Sequence, residues 1–439
     1  MNCPHAQQPG PSPDTTRTTP PTVPAVSAEP VVLDPLVTDL DAESAALRAA
    51  GPLARVVLPG GVACYAVTHH AEARRLLTDA RLVKDIGVWG AWQRGEIPSD
   101  WALIGLANPG RSLLTVDGAD HRRLRALVAQ ALTVRRVERL RGRIEELTSA
   151  LLDTLAGHRR EPVVDLKAEF AYRLPMNVIS ELMGFDPADH PRLKELYEKF
   201  FSTQTPPEEV PRMMADLGEL FTGVVEAKRA APGDDLTSAL IAASEDGDRL
   251  TADEILNTLM VMVAAGHETT ISLIVNAVVA LETHPEQRAL VLAGTIPWEN
   301  VIEETLRWSS PTSHVLFRYA TEDIAVGDAV LPAGEALVVS FGAIGRDERQ
   351  HGPTAGTFDA TRAPNRHIAF GHGPHVCPGA ALSRLEAAVA LPALYARFPG
   401  LGLAVPAADL RNKPVVTQND LFDLPVHLTG VRAEVRTGV

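Results

Sequence analysis

The stretch "FGHGPHVCPG", residues 370–379, holds one of only three cysteines in a chain of 439 residues. Gly371, Gly373, Gly379, Pro374 and Pro378 crowd around Cys377, so neither a regular helix nor a strand runs through it. A chain so sparing with thiols places this one in a segment built for close backbone approach. Pattern predicts a helix from about Gly379 to Ala396, ahead of "RFPG", so its first amides would face the sulfur.

Composition narrows the setting. Hydrophobic residues at 45% and charged residues at 22% describe an ordinary globular chain, and length alone allows two or three domains. A formal net charge of −14 argues against general binding to nucleic acid or anionic membrane. Cys3, Cys64 and Cys377 are too few for a disulfide framework and suit a reducing compartment. No basic-then-apolar signal pattern opens the chain and no apolar run reaches bilayer length, so a cytoplasmic location is expected. Residues 1–30, rich in Pro and Thr, read as a disordered leader.

Folding signals start at "PVVLDPL". "ARVVLPGGVACYAV" reads as a hairpin turning at Pro59-Gly60-Gly61. From Asp120 to Leu281 apolar residues recur mostly at helical spacing, and "RYATEDIAVGDAVLPAGEALVVSF" reverts to short strands. The fold class is mainly α with small β-sheets.

Thr251 and Glu254 have capping-box spacing, and Pro285 lies past the far end of a helix of about 30 residues, roughly 45 Å. Its middle, "LMVMVAAGHETT", is apolar all round until Gly266, which places it across the core. Ala265 and Gly266 remove bulk where Glu268 and Thr269 add polarity, as a groove for a small ligand would require. Alternatively, Gly266 is merely tolerated, Glu268 reaches solvent and Thr269 bonds back to its own helix. His267-Glu268 lacks the second histidine of a zinc HExxH motif. Glu304 and Arg307 in "EETLRW" form either a surface ion pair or, with Arg362 of "FDATR", a clamp on the cysteine loop.

Taken in order, "HRRLR", "AGHETT", "ETLR", "FRYATED", "FDATR" and "FGHGPHVCPG" resemble a bacterial, actinomycete-type soluble cytochrome P-450 over roughly residues 35–430. Phe370, Gly373, Cys377 and Gly379 match the family pattern F-x-x-G-x-x-x-C-x-G. The resemblance implies a single catalytic domain over residues 31–439, a helical prism around haem b. Cys377 would then be the thiolate ligand of the iron. It assigns His121, Arg125, Arg318 and His375 to the haem propionates, and Ala265, Phe370 and Gly379 to other haem contacts. Glu268 and Thr269 match the acid–alcohol pair that relays protons toward dioxygen. Glu304, Arg307 and Arg362 match the structural triad. Because Pro378 has no N–H, one amide donor to the sulfur is missing, and a lower iron potential is expected.

Between His121 and Arg143, eight arginines face one acid, Glu138, which is either a solvated face or a dock for an acidic ferredoxin. No flavin or nicotinamide domain is legible, and "GHGPHV" is no dinucleotide fingerprint. Electrons are therefore expected from ferredoxin and an NAD(P)H-dependent ferredoxin reductase, serving a monomer. By resemblance the substrate pocket takes in Trp89, Trp92, Val261, Ala265, Val315, Leu316, Val416 and Thr417. That set suggests a lipophilic steroid, terpenoid or polyketide of secondary metabolism. Packing is the other role open to Trp89, Trp92 and Trp101, and His314 is either a polar handle or a structural histidine. The expected reaction is ferredoxin-dependent oxygen insertion from O2 into a C–H bond. Oxidative coupling or cyclisation, a peroxide-driven reaction and a non-catalytic haem carrier are the alternatives, the last two disfavoured by the relay pair.

Overall fold

The computed structural model describes residues 29–158, 161–245 and 250–429. Residues 1–28, most of the expected leader, lie outside that range.

The expected hairpin forms from Leu53–Leu58 and Val62–Val67. It joins a six-stranded sheet, whose order runs Val31–Val32, Leu53–Leu58, Val62–Val67, Ala336–Ser340, His314–Ala320, Leu82–Val83. Pairing within it is mixed: Tyr65 runs parallel to Leu337, while His314 lies antiparallel to Ser340. Register shifts between Val315 and Arg318, a bulge that breaks the alternation of faces in that strand.

Everything else is dominated by helices around one long central helix, Ala252–Thr283. Thr251 accepts from the Glu254 amide while Glu254 accepts from the Thr251 amide, completing the capping box. Arg123 and Arg111 further brace Glu254 at 2.7 and 3.0 Å. Nearly every residue from Thr270 to Leu281 is buried, which makes this a core helix. By length and apolarity it would also pass for a membrane span, but most of it is enclosed by the fold. The Arg173–Met183 helix crosses it so closely that a Cβ on Gly266 would stand 2.7 Å from Ile179 Cδ1. Gly266 thus marks a close helix approach, where any side chain would have to displace the tip of Ile179, a contact the sequence reading did not supply.

The helix after the cysteine spans Ala380–Arg397, both ends one residue later than expected. It packs on the central helix and on Trp298–Trp308, which carries the anchor. Glu304 and Arg307 are 1% and 0% exposed, so the surface-pair reading is wrong. Arg307 donates to both Glu304 oxygens at 2.8 and 2.6 Å and to the carbonyls of Gly345, Ala355 and Thr357. Glu304 also accepts from the Asp359 amide, Asn365 and, at 3.3 Å, Arg362. One carboxylate and one guanidinium thereby gather the loop that leads to Cys377.

Removing one member of such a buried pair leaves an uncompensated charge, at a cost of about 3–5 kcal/mol. Arg307→Lys keeps the charge but loses the fork. Urea unfolding of the haem-loaded variant is expected to show a loss of at least about 2 kcal/mol; an unchanged midpoint would refute the anchoring role.

Candidate active site

A large cavity opens between the central helix and the cysteine segment, with an empty volume of about 1900 Å3 including its mouth. Phe370, Cys377, Pro378 and Gly379 form its floor, and Val261, Ala265 and Thr269 of the central helix its facing wall.

Local geometry explains the floor. Gly371 and Gly373 have φ of 78° and 76°, and a Cβ on Gly373 would sit 2.7 Å from the Leu77 carbonyl oxygen. The Cys377 amide donates to the Phe370 carbonyl at 2.8 Å, closing the loop. Burial pushes the Cys377 thiol up; the Gly379 amide, Arg125, Arg384 and the Ala380 amide pull it back. The sulfur therefore meets the first turn of the following helix, with Pro378 contributing no donor.

One side of the cavity collects cations without matching anions. His121 Nε2 and Arg318 Nη1 are buried with no hydrogen-bond partner. Arg125 lines the cavity and has no carboxylate partner among the described residues. Burial pulls Arg318 down to about 10 and Lys84 well below its ordinary value; Asp117 opposes both shifts. Lys84 Nζ reaches just the Phe317 carbonyl, at 2.9 Å. Asp117 is already engaged by His375 Nε2 at 3.1 Å and by the Lys84 amide at 2.6 Å. Burial also lowers the His375 imidazole to about 4, despite Asp117. Unpartnered donors beside a thiol, above a Gly-built floor, fit a flat ligand carrying two carboxylates. Haem b is such a ligand. His121, Arg125 and Arg318 would take its propionates, Lys84 adding charge, and Cys377 would ligate its iron.

The expected relay pair is split. Thr269 lines the cavity while its hydroxyl donates to the Ala265 carbonyl at 2.8 Å, so the back-bonding and groove readings hold together. Glu268 is 5% exposed and does not reach solvent. It faces His267, with Lys167, Lys413 and Asp420 close behind. Burial pushes its carboxyl up, but His267, Lys413 and Lys167 outweigh burial and hold it at about 2.

Among the pocket candidates, Val261, Ala265, Val315 and Thr417 line the cavity. Trp89 and Trp92 do not. Short turns at Ile86–Val88 and Gly90–Gln93, pinned by the Gly90 amide on the Gly334 carbonyl, direct Trp89 into the sheet-side core. There it is 0% exposed and stacks 5.7 Å from Tyr319, with Trp92 packed at the edge. Val416 joins the same core because its neighbour Thr417 takes the cavity face. The side chain of Leu316 lies outside the described residues. His314 pairs with Glu43 at 2.7 Å and is structural. Sequence reading missed Lys84, Asp117 and Gln418. Asp117, four residues before His121, was the one with a usable signal, a helix-capping position beside the basic run.

The cytochrome P450 family model matches residues 76–291 and 298–400, well over half of the chain. The chain belongs to the cytochrome P450 family. Its members bind haem b, and this P450 is a monooxygenase. It is 39% identical to 2-hydroxy-5-methyl-1-naphthoate 7-hydroxylase of Streptomyces carzinostaticus, over 91% of this chain and 98% of that protein. Solved CYP154C4 from Streptomyces sp. W2061 shares 76% identity at a TM-score of 0.91, covering 92% and 98% of the two chains. "Testerone bound CYP154C4" from Streptomyces sp. ATCC 11861 shares 78% at 0.91, covering 92% and 99%.

Replacing both unpartnered donors, as in His121→Ala with Arg318→Ala, is expected to raise the rate of haem loss at least tenfold. Transfer of the pigment to an excess of apomyoglobin measures it; wild-type retention would remove both residues from the propionate site.

Proposed function

We propose that this P450 takes electrons from a ferredoxin and its NAD(P)H-dependent reductase, and hydroxylates an unactivated C–H bond of a steroid-like molecule. The carrying observation is a pair of neighbouring polar side chains without partners on one wall of a largely apolar cavity. Gln418 is 5% exposed and lines the cavity, and its side-chain amide has no partner among the described residues. Beside it, Thr417 Oγ1 is buried and unpartnered. A rigid apolar skeleton with a ketone or hydroxyl at its end would satisfy both. The 78% identical "Testerone bound" relative supports that substrate class. Leu106, Leu113, Met214 and Met260 provide the apolar walls.

Bound haem supplies the activation of dioxygen. The chain's own task is to orient the substrate, exclude water and deliver protons through Thr269, with Glu268 as the reservoir. We assign the propionates to His121, Arg125 and Arg318, with His375 held beside them by Asp117, and treat residues 31–439 as one catalytic unit. Titration with 3-keto steroids, terpenes and fatty acids, read by the haem spin-state shift, tests the substrate; a shift with fatty acids alone would overturn it. Thr269→Ala is expected to keep oxidising reductant while product falls about tenfold and peroxide rises. Unchanged product yield would remove the hydroxyl from the relay.

The basic run resolves into two sets. Arg123, Arg141 and Arg143 are paired with Glu254, Glu138 and Glu181. Arg122, Arg135, Arg136 and Arg139 have no ion pair among the described residues, and the last three ride on Val134–Arg139, packed against the cysteine helix. An acidic ferredoxin steered to that helix would arrive beside the thiolate. Charge reversal at Arg135 and Arg136 is expected to slow reduction by ferredoxin at least about tenfold at low salt and little at high salt. A salt-independent, wild-type rate would refute docking there.

A further inference from the structure

His267 follows the cavity-lining stretch of the central helix, yet it faces away from the cavity and is wholly buried. Its Nδ1 lies 2.7 Å from the Val263 carbonyl oxygen. A carbonyl oxygen is an acceptor, so Nδ1 must carry a proton. Its other nitrogen, Nε2, has no well-aligned partner, and its nearest is Glu268 Oε1 at 3.2 Å. With Nδ1 already protonated, a bare Nε2 would bring a lone pair within 3.2 Å of a carboxylate oxygen in a buried site, and a proton held between the two removes that repulsion.

The surroundings keep that proton available. Tyr172 and Tyr197 stand edge-on to the imidazole at 6.3 and 5.6 Å and confine the ring. His190 faces it from the start of the same helix that bears Tyr197. Lys167 donates to Asp420 at 2.6 Å, and Lys413 lies 3.4 Å from the other Asp420 oxygen. Lys413 also lies 3.7 Å from Glu198, which is 41% exposed and holds Lys194. The buried Lys167 and Asp420 and the part-buried Lys413 thus sit between Glu268 and a wet rim.

We infer that His267 is the positioning and proton-holding partner of Glu268: the pair shares one proton, which rests on Nε2 until Glu268 passes one toward Thr269. In that step the Nε2–H bond breaks and an O–H bond forms on Oε1; that O–H bond breaks in turn as the proton leaves toward Thr269, restoring the carboxylate, and no oxidation state changes. Solvent at the Lys413–Glu198 rim returns the proton afterwards. This rests on the relay reading of Glu268 and Thr269, and it adds the source from which Glu268 is refilled.

The test uses full-length, haem-loaded protein with 15N-labelled histidine, reduced and saturated with carbon monoxide. His267 is assigned by the signals lost in His267→Asn. Both ring nitrogens of His267 are expected to carry protons, and Glu268→Gln is expected to remove the one on Nε2. A lone-pair signature on Nε2 in the wild type overturns the inference whatever the variants do. In turnover, His267→Asn is expected to lower product per reductant at least about tenfold while the substrate spin-state shift and ferredoxin reduction stay as in wild type. Full yield in His267→Asn together with a loss in Glu268→Gln sinks the inference and leaves the relay standing. Full yield in Glu268→Gln sinks both.

Discussion

One buried ion pair holds the functional part of this molecule together. Arg307 and Glu304 are removed from water, and such a pair returns its desolvation cost through complete hydrogen bonding. Here the bonding is complete: three backbone carbonyls and a backbone amide are drawn in along with Arg362 and Asn365. Each of those partners lies between residues 345 and 365, on the approach to Cys377. The cysteine loop has little regular structure of its own. Its shape is therefore borrowed from the helix Trp298–Trp308, and the placing of the sulfur under the cavity follows.

Charge is distributed to the same end. A chain of net −14 nevertheless keeps cations on two sides of the thiolate. Inside, Arg125 lines the cavity, His121 stacks on the cavity-lining His375, and Arg318 and Lys84 lie behind with Asp117 as the nearby carboxylate. Outside, the arginines of Val134–Arg139 stay unpaired on the helix that touches the cysteine helix. Both arrangements cost stability in the absence of an anion. Binding of carboxylates within and of an acidic surface without would recover it.

Much of the fold was legible because its signals are local. The hairpin at Pro59-Gly60-Gly61, the capping box at Thr251 and the helix after Gly379 each depend on residues a few positions apart. The ligand segment was legible for the same reason. What failed was direction. Trp89, Trp92 and Val416 were placed in the pocket, but short turns and one step of alternation send them to the opposite core. Gly266 does line the cavity as read, but the close approach of Ile179 from another helix beside it was not legible. The separation of Glu268 from Thr269 and the lysine cluster behind it arise from contacts over about 100 residues or more, which no motif encodes.

The bulged strand His314–Ala320 carries Val315 on the cavity wall and Arg318 among the buried cations, three positions apart. Selectivity and cofactor seating are therefore mechanically linked along that strand, and lengthening or shortening it would disturb both together. Thr417 and Gln418 come from a separate C-terminal segment, but the Ser313 amide on the Thr417 carbonyl and the Thr312–Gln418 bridge fasten it to the foot of the same strand, so the polar end of the cavity is drawn in as well.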